Sequence, residues 1–259
     1  MLYIRTSQQA DLKPVYFLSD FHLGVPDSAS SNARERHICR FLETFGPDAE
    51  EIFLVGDIFD MWFEYHTVVP KGYIRLLGTL MRLRDAGVKI TAFTGNHDMW
   101  MFGYFENELG IPVHRSVIER EWNGKKFLIG HGDGLGPGDH GYKFIKKVFA
   151  NKLCQWLFGW IHPDLGLPLA NFWSRKSRIA TGSTENKYLG DDKEYLTQYC
   201  NEVLAQKHVD YFIFGHRHLP LTVPVGTLSQ YINLGDWVQY YTYAVFNGDT
   251  CELKSFPMS

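Results

Sequence analysis

Five short blocks spaced down the 259-residue chain each set a metal-type ligand beside a glycine or at the end of an apolar run. They are Ser19-Asp20-Phe21-His22, Gly56-Asp57, Gly95-Asn96-His97-Asp98, Gly130-His131-Gly132-Asp133 and Gly215-His216-Arg217-His218. The apolar runs are of strand length: Val15–Leu18, Ile52–Val55, Ile90–Phe93, Phe127–Ile129 and Tyr211–Phe214. Open α/β sheets carry their sites on loops at the carboxyl ends of strands. A lone Asp after a strand is usually a turn or helix-capping residue, and a lone His is more often a core or surface side chain. Seven such positions at matching strand ends are a different matter, and they predict a two-metal hydrolytic site.

The stretches between the blocks predict a layered α/β fold. Apolar residues at helical spacing mark helices over Ala33–Phe45 and Lys71–Asp85, the second stopping at Gly87. Strands are expected at Val88–Phe93, Val117–Trp122 and Lys125–Ile129, the last two joined by Asn123-Gly124, a dipeptide suited to a tight hairpin turn. A helix over Lys193–Gln206 precedes the last block, and Leu221–Val225, Tyr231–Leu234, Tyr241–Phe246 and Glu252–Phe256 read as strands. Strand–helix alternation early and strands late predict two packed sheets with helices outside. The chain from His131 to Gly215 is far longer than one helix needs, so 134–190 reads as an inserted helical cap on a core of 1–133 and 191–259.

Ligand chemistry follows from residue type. Hard divalent ions take oxygen and imidazole donors, and a neighbouring pair of ions needs a carboxylate between them. Asp20 and His22, one residue apart, can turn to one ion; Asp57 stands alone and is the natural bridge; Asn96 adds an oxygen without charge; His131, His216 and His218 complete two sets. Glycine before most of them is expected because the backbone must turn sharply there.

Composition removes other classes. A net charge of −3 argues against a nucleic-acid binder, and no uncharged apolar run reaches the roughly 18 residues of a spanning helix. Met1–Lys13 lacks the apolar centre of a secretory signal, which places the protein on the cytosolic side of any membrane. Cys39, Cys154, Cys200 and Cys251 form no Cys-x-x-Cys and read as reduced thiols. Gly132, Gly134, Gly136 and Gly138 lack the Lys-Ser/Thr of a nucleotide phosphate loop and read as the exit from His131 into the cap.

The cap is unlike the rest. From Asp139 to Arg178 it carries seven basic residues against two acidic ones, interleaved with Phe144, Phe149, Trp156, Phe158, Trp160, Phe172 and Trp173. Asn151 and Pro163 should break it into two or more helices. Basic-aromatic helices suit an anionic bilayer surface or a phosphate-headed amphiphile. A helical hairpin with its aromatics packed on the sandwich and its lysines solvated is the other reading.

In this order the five blocks resemble the calcineurin-type metallophosphoesterases, over nearly the whole chain outside the cap. The resemblance implies a four-layer αββα sandwich and two divalent ions, Mn²⁺ first, with Fe or Zn²⁺ as alternatives. It assigns Asp20, His22, Asp57 and His218 to one ion and Asp57, Asn96, His131 and His216 to the other. His97, with Asn96, would face the phosphate, stabilising charge or protonating the leaving oxygen, with Asp98 orienting its ring; Asp60 and Asp133 read as supporting or turn residues.

A narrower resemblance rests on Asp57-Ile58-Phe59-Asp60-Met61-Trp62 and on His131-Gly132-Asp133 followed by Asp139 and Tyr142. These are similar to the UDP-2,3-diacylglucosamine pyrophosphatases of lipid A synthesis. That family hydrolyses UDP-2,3-diacylglucosamine to 2,3-diacylglucosamine 1-phosphate and UMP at the inner face of the bacterial cytoplasmic membrane, its cap holding acyl chains. It implies a cytoplasmic, peripherally bound enzyme, with Asp139 and Tyr142 toward the sugar and Ser177 and Arg178 toward sugar or phosphates. Thr181 and Lys187 match its later contacts loosely. The best-known branch carries arginine after the Asn ligand, where this chain has His97. The competing enzyme reading is a metallophosphoesterase for a soluble phosphomonoester or nucleotide phosphodiester. A scaffold that keeps only the fold would have shed ligands, and all are present.

Overall fold

A computed structural model describes residues 13–137, 140–172, 190 and 194–258, with the side chains of His140 and Tyr142 excepted. Its order begins β1 (Val15–Leu18), α1 (Ser28–Phe45), β2 (Glu51–Val55), α2 (Ile74–Asp85), β3 (Lys89–Phe93), α3 (Tyr104–Glu108), β4 (Val113–His114), β5 (Ile118–Trp122) and β6 (Lys125–Gly130). It continues with α4 (His140–Ala150), α5 (Lys152–Gly159), α6 (163–172), α7 (Tyr195–Leu204), β7 (Tyr211–Phe214), β8 (Pro220–Val225), β9 (Ser229–Leu234), β10 (Thr242–Phe246) and β11 (Cys251–Ser255).

The strands form two sheets, ordered β11-β10-β1-β2-β3-β4 and β5-β6-β7-β9-β8. β1 through β4 run parallel, as do β6, β7 and β9. The central strands are apolar throughout because both of their faces are covered. Val15 and Phe17 of β1 join Phe53, Phe127, Ile213 and Phe246 in the core between the sheets, while Tyr16 and Leu18 face α1 and α2. Phe17 stacks on Phe53 within its sheet and on Phe127 across the gap. On the far side, Leu196 and Cys200 of α7 cover Leu128, Phe212 and Phe214. These are the four layers expected, and burying each large side chain stabilises them by about 1.5–3 kcal/mol.

Boundaries moved where hydrogen bonds outweighed hydrophobic period. α1 starts five residues before its expected start, because Asp27 accepts the Ser30 N–H and caps it. α2 starts three residues late, and its first amides, from Arg75 and Leu76, donate to Glu35 of α1. The short α3 and β4 had no counterpart in the sequence pattern.

The helices after Gly136 break at the two expected places. Asn151 accepts the N–H groups of Leu153 and Cys154 and so starts α5, and α6 begins at Pro163, a position where a missing N–H does no harm. Their inner face packs on the core through Met61, Phe63, Trp100 and Ala170, joined by Phe149 and Phe158. Their outer face leaves Leu153, Trp156, Leu157, Trp160 and Leu165 exposed. The reading that packs the aromatics on the sandwich therefore holds for the inner face. The lysines need correction: Lys143 donates to the Gly136 carbonyl and Lys146 pairs with Asp133, so both tie α4 to the loop leaving His131.

Candidate dinuclear metal centre

All seven expected ligands meet where the carboxyl ends of the two sheets face each other. Asp20, His22, Asp57 and His218 offer donor atoms within 4.8 Å of one another, and so do Asp57, His131 and His216. Asp57 belongs to both groups. Asn96 joins the second, its Oδ1 3.3 Å from His131 Nε2. The first sheet supplies Asp20, His22, Asp57 and Asn96; β6 and β7 of the second supply His131, His216 and His218. The loops are laced together by backbone: Asp20 N–H donates to Gly56 O, His22 N–H to Asp57 O and Gly215 N–H to His131 O. His216 N–H reaches across to Asp20 Oδ2 at 3.0 Å.

Two backbone features explain the blocks. Asp20, His22, Asp57, His216 and His218 all adopt left-handed φ, between 43° and 68°, a conformation disfavoured for residues with a Cβ and concentrated at functional sites. The glycines at Gly95 and Gly215 serve a purpose other than the sharp turn expected of them. Neither has positive φ, but an added Cβ would lie 2.1 Å from Asp57 Oδ1 or 2.0 Å from Ser19 Oγ. They allow close approach.

The donor set fits divalent cations. Three imidazoles have Nδ1 engaged, leaving Nε2 directed at the carboxylates. His131 Nδ1–H donates to Val55 O at 2.8 Å, His22 Nδ1 lies 3.2 Å from Asp60 Oδ1, and His218 Nδ1 lies 3.4 Å from Asp236 Oδ2. Outer partners of this kind fix the tautomer of a metal-bound histidine. Asp20 Oδ1 and Asp57 Oδ2 are buried and accept no hydrogen bond. Such atoms are costly without a partner, and His22, His218 and His131 Nε2 all lie 3.3–3.6 Å from one or both. A cation between them would satisfy the whole set.

Electrostatics agree. Burial disfavours a charge on His22, but Asp20, Asp60 and Asp57 outweigh it and raise its pKa to about 10. Burial likewise opposes a charge on His131, which Asp57 and Asp20 raise to about 10. Burial would raise Asp20, yet His218, His22 and His131 bring it down to about 2. The centre is a well of negative charge that draws protons when nothing heavier is bound, so metal loading should release protons and strengthen with pH. His216 differs: burial and His131 push it down to about 4, leaving a neutral imidazole ready to ligate.

His97 stands at the rim, its side chain 12% exposed where those of Asp60 and His22 beside it are 1% exposed. Its backbone N–H donates to Asp57 Oδ1 and its Nδ1 lies 3.1 Å from Asp60 O. Asp60, expected as a supporting or turn residue, contacts both His97 and His22 through its carboxylate. Asp98 accepts the N–H groups of Gly95 and Ile58 and so clamps the Asn96 loop to the Asp57 loop. Burial, with Asp57 nearby, raises its pKa to about 7. Asp139, Ser177, Arg178, Thr181 and Lys187 lie outside the described residues, as does the side chain of Tyr142.

The expected set did not include Asp236, which accepts the N–H groups of Val238, Gln239 and Tyr240 while holding His218. Nor did it mark Asn233, whose side chain donates to Gly215 O and accepts the Gly235 N–H. Arg34, buried, donates to His22 O. The signal for Asp236 was available as Gly235-Asp236 after the apolar run Tyr231–Leu234, a sixth strand-end block.

Residues 13–220 match the calcineurin-like phosphoesterase family. Among curated proteins, a UDP-2,3-diacylglucosamine hydrolase of Porphyromonas gingivalis is 38% identical over 253 residues, covering 93% of this chain and 97% of its own. Proteins of the same description from a Shewanella species and from Yersinia pestis are each 26% identical over 245 residues, covering 94% and 93% of this chain and 97% and 98% of their own.

Proposed function

The chain belongs to the calcineurin-like phosphoesterase family, and on that footing we propose that it hydrolyses UDP-2,3-diacylglucosamine to UMP and 2,3-diacylglucosamine 1-phosphate. One observation carries the substrate: likeness to the Porphyromonas gingivalis hydrolase runs through 93% of this chain, too much to omit the cap. Exposed apolar side chains on that cap suit an acylated substrate.

In this reading Asp20, His22, Asp57 and His218 hold one ion, and Asp57, Asn96, His131 and His216 hold the other. Mn²⁺ is the first candidate for a mixed carboxylate, amide and imidazole set. When bound, the pair supplies activation of water and Lewis-acid neutralisation of the phosphoryl oxygens. The protein supplies the rest. Asn96 and His97 face the phosphate, and His97, held through Nδ1 by Asp60, presents Nε2 to the oxygen that leaves. Water adds to one phosphorus, the bridging P–O bond breaks, and a proton on Nε2 passes to the departing phosphate. In the same reading 134–190 serves as the cap, and Asp139, Tyr142, Ser177 and Arg178 are its substrate-binding residues.

The exposed face of Leu153, Trp156, Leu157, Trp160 and Leu165 supports a peripheral seat on the anionic cytoplasmic surface of the inner membrane. Among the described residues no helix is long and apolar enough to cross a bilayer.

The test is hydrolysis of UDP-2,3-diacylglucosamine in detergent with Mn²⁺, by the wild type, Asp57→Ala and His97→Arg. UMP from the wild type and none from Asp57→Ala is the expected result. The arginine variant compares this chain with the branch that carries arginine there. No UMP, with brisk turnover of a soluble nucleotide phosphodiester, would overturn the lipid assignment and leave the metal centre standing.

A further inference from the structure

Arg217 lies between the ligands His216 and His218, and its guanidinium meets the Glu194 carboxylate twice, Nε to Oε2 at 3.1 Å and Nη2 to Oε1 at 2.8 Å. The two side chains are 5% and 1% exposed. A buried ion pair is weak evidence of stabilisation, because apolar residues of similar volume often do as well. Glu194 is also the N-cap residue of α7, yet its side chain makes no capping bond and is turned to Arg217 instead. The pair therefore needs another reason to exist.

The first turn of α7 supplies one, because it touches both loops that carry the second ion's histidines. The Tyr195 ring lies 6.5 Å from the His216 ring. The Tyr195 carbonyl presses so closely on the loop leaving His131 that a Cβ at Gly136 would fall 2.3 Å from it, and Leu196 packs over Gly132. The histidines of the first ion are braced elsewhere, His22 by Asp60 and Arg34, His218 by Asp236.

We infer that the Glu194–Arg217 pair is a positioning device for the second metal site, locking the root of α7 against the loops that present His131 and His216. The inference rests on the two-ion reading above. Because the pair sits where the chain returns from the cap, it also ties that return point to the metal centre.

The test is a Mn²⁺ titration of the metal-free protein, counting bound ions by electron paramagnetic resonance, with melting temperature measured alongside. The wild type should bind two ions and show a coupled pair. Glu194→Gln should keep one tight ion and bind the other at least about tenfold more weakly, as loss of an outer partner does. A Glu194→Leu/Arg217→Met double variant removes the charges while filling the space. It should melt near the wild type and still show the one-site defect. Wild-type affinity for both ions in either variant, or equal weakening of both sites, would overturn the inference. A wild type that binds a single ion would instead remove the two-ion reading, and this inference with it.

Discussion

Gly95 lies so close to Asp57 that a Cβ at residue 95 would fall 2.1 Å from Asp57 Oδ1. No alanine fits there unless Asp57 moves, both the carboxylate shared by the two ligand groups and its backbone N, which would lie 2.7 Å from that Cβ. Gly95→Ala should therefore lose metal and activity as thoroughly as Asp57→Ala, although it removes no ligand. Metal analysis after dialysis checks this; two retained ions would show that the carboxylate has room to yield. Gly78, inside α2 with nothing within 4 Å of its Cβ position, is the contrast. Gly78→Ala should stabilise the fold by about 0.5–1 kcal/mol in urea unfolding and leave turnover unchanged.

Asp236 holds His218 through one oxygen and three backbone amides through the other. Asp236→Ala should lower Mn²⁺ affinity or activity by about 10–100-fold. Asp236→Asn, which can still accept from the amides, should retain more stability than Asp236→Ala. Equal melting temperatures for the two variants would contradict that division of labour.

Much of this centre was legible because its ligands sit at the ends of apolar strands, a pattern local in sequence. Asp20, Asp57 and His131 each announce themselves within a few residues. What escaped depends on partners far apart in the chain. Asp60 was marked as supporting, but nothing local says that its carboxylate stands beside both the His97 and His22 rings. Glu194 and Arg217 are 23 positions apart and meet only after β7 and α7 have packed. The capped start of α1 was written in Asp27, but the residues behind it are too polar to show a helical period.

Trp100 fastens the cap to the core: its ring stacks on Phe158 at 5.4 Å and its Nε1 donates to Phe149 O. Trp100→Ala should destabilise by about 3–5 kcal/mol if the cap unfolds with the core. It should also raise KM for the lipid substrate more than for a soluble phosphodiester. Equal losses on both substrates would place Trp100 in the shared chemistry instead.

His37 offers a pH test remote from the metals. Its Nε2–H donates to Phe256 O, so Nδ1 is left to accept from Arg40, and the ring stacks on Phe256 beside Trp237 and Tyr241. Burial first, and then Arg40, lowers its pKa below the usual 6.5, against the opposing pull of the Phe256 carbonyl. Folding thus favours the neutral ring. Its contribution is complete above 6.5 and fades as pH falls through the lowered value. Melting temperatures at about pH 7.5 and about pH 5 should diverge more for the wild type than for His37→Gln. Identical differences would remove His37 from the account.

Trp156 and Trp160 are 57% and 75% exposed and lie edge to face at 5.9 Å. Replacing both with serine should leave folding stability within about 0.5 kcal/mol, as surface changes usually do. Cosedimentation with phosphatidylglycerol-containing vesicles should fall by about tenfold as interfacial apolar area is lost. Undiminished sedimentation would remove this face from the proposed membrane contact.

The left-handed backbone at Asp20, His22, Asp57, His216 and His218 has a bearing on how such a chain can change over generations. A side chain held in that conformation costs about 1 kcal/mol or more, and glycine escapes most of the penalty. Released from selection for hydrolysis, a descendant could become sturdier by exchanging these five residues, one after another, for glycine. Decay of the reaction would then be eased by backbone relief and opposed where a lost side chain accepts a neighbouring loop's N–H, as Asp20 does from His216 and Asp57 from His97. The fold can outlive its chemistry, whereas the chemistry persists only while something selects for it.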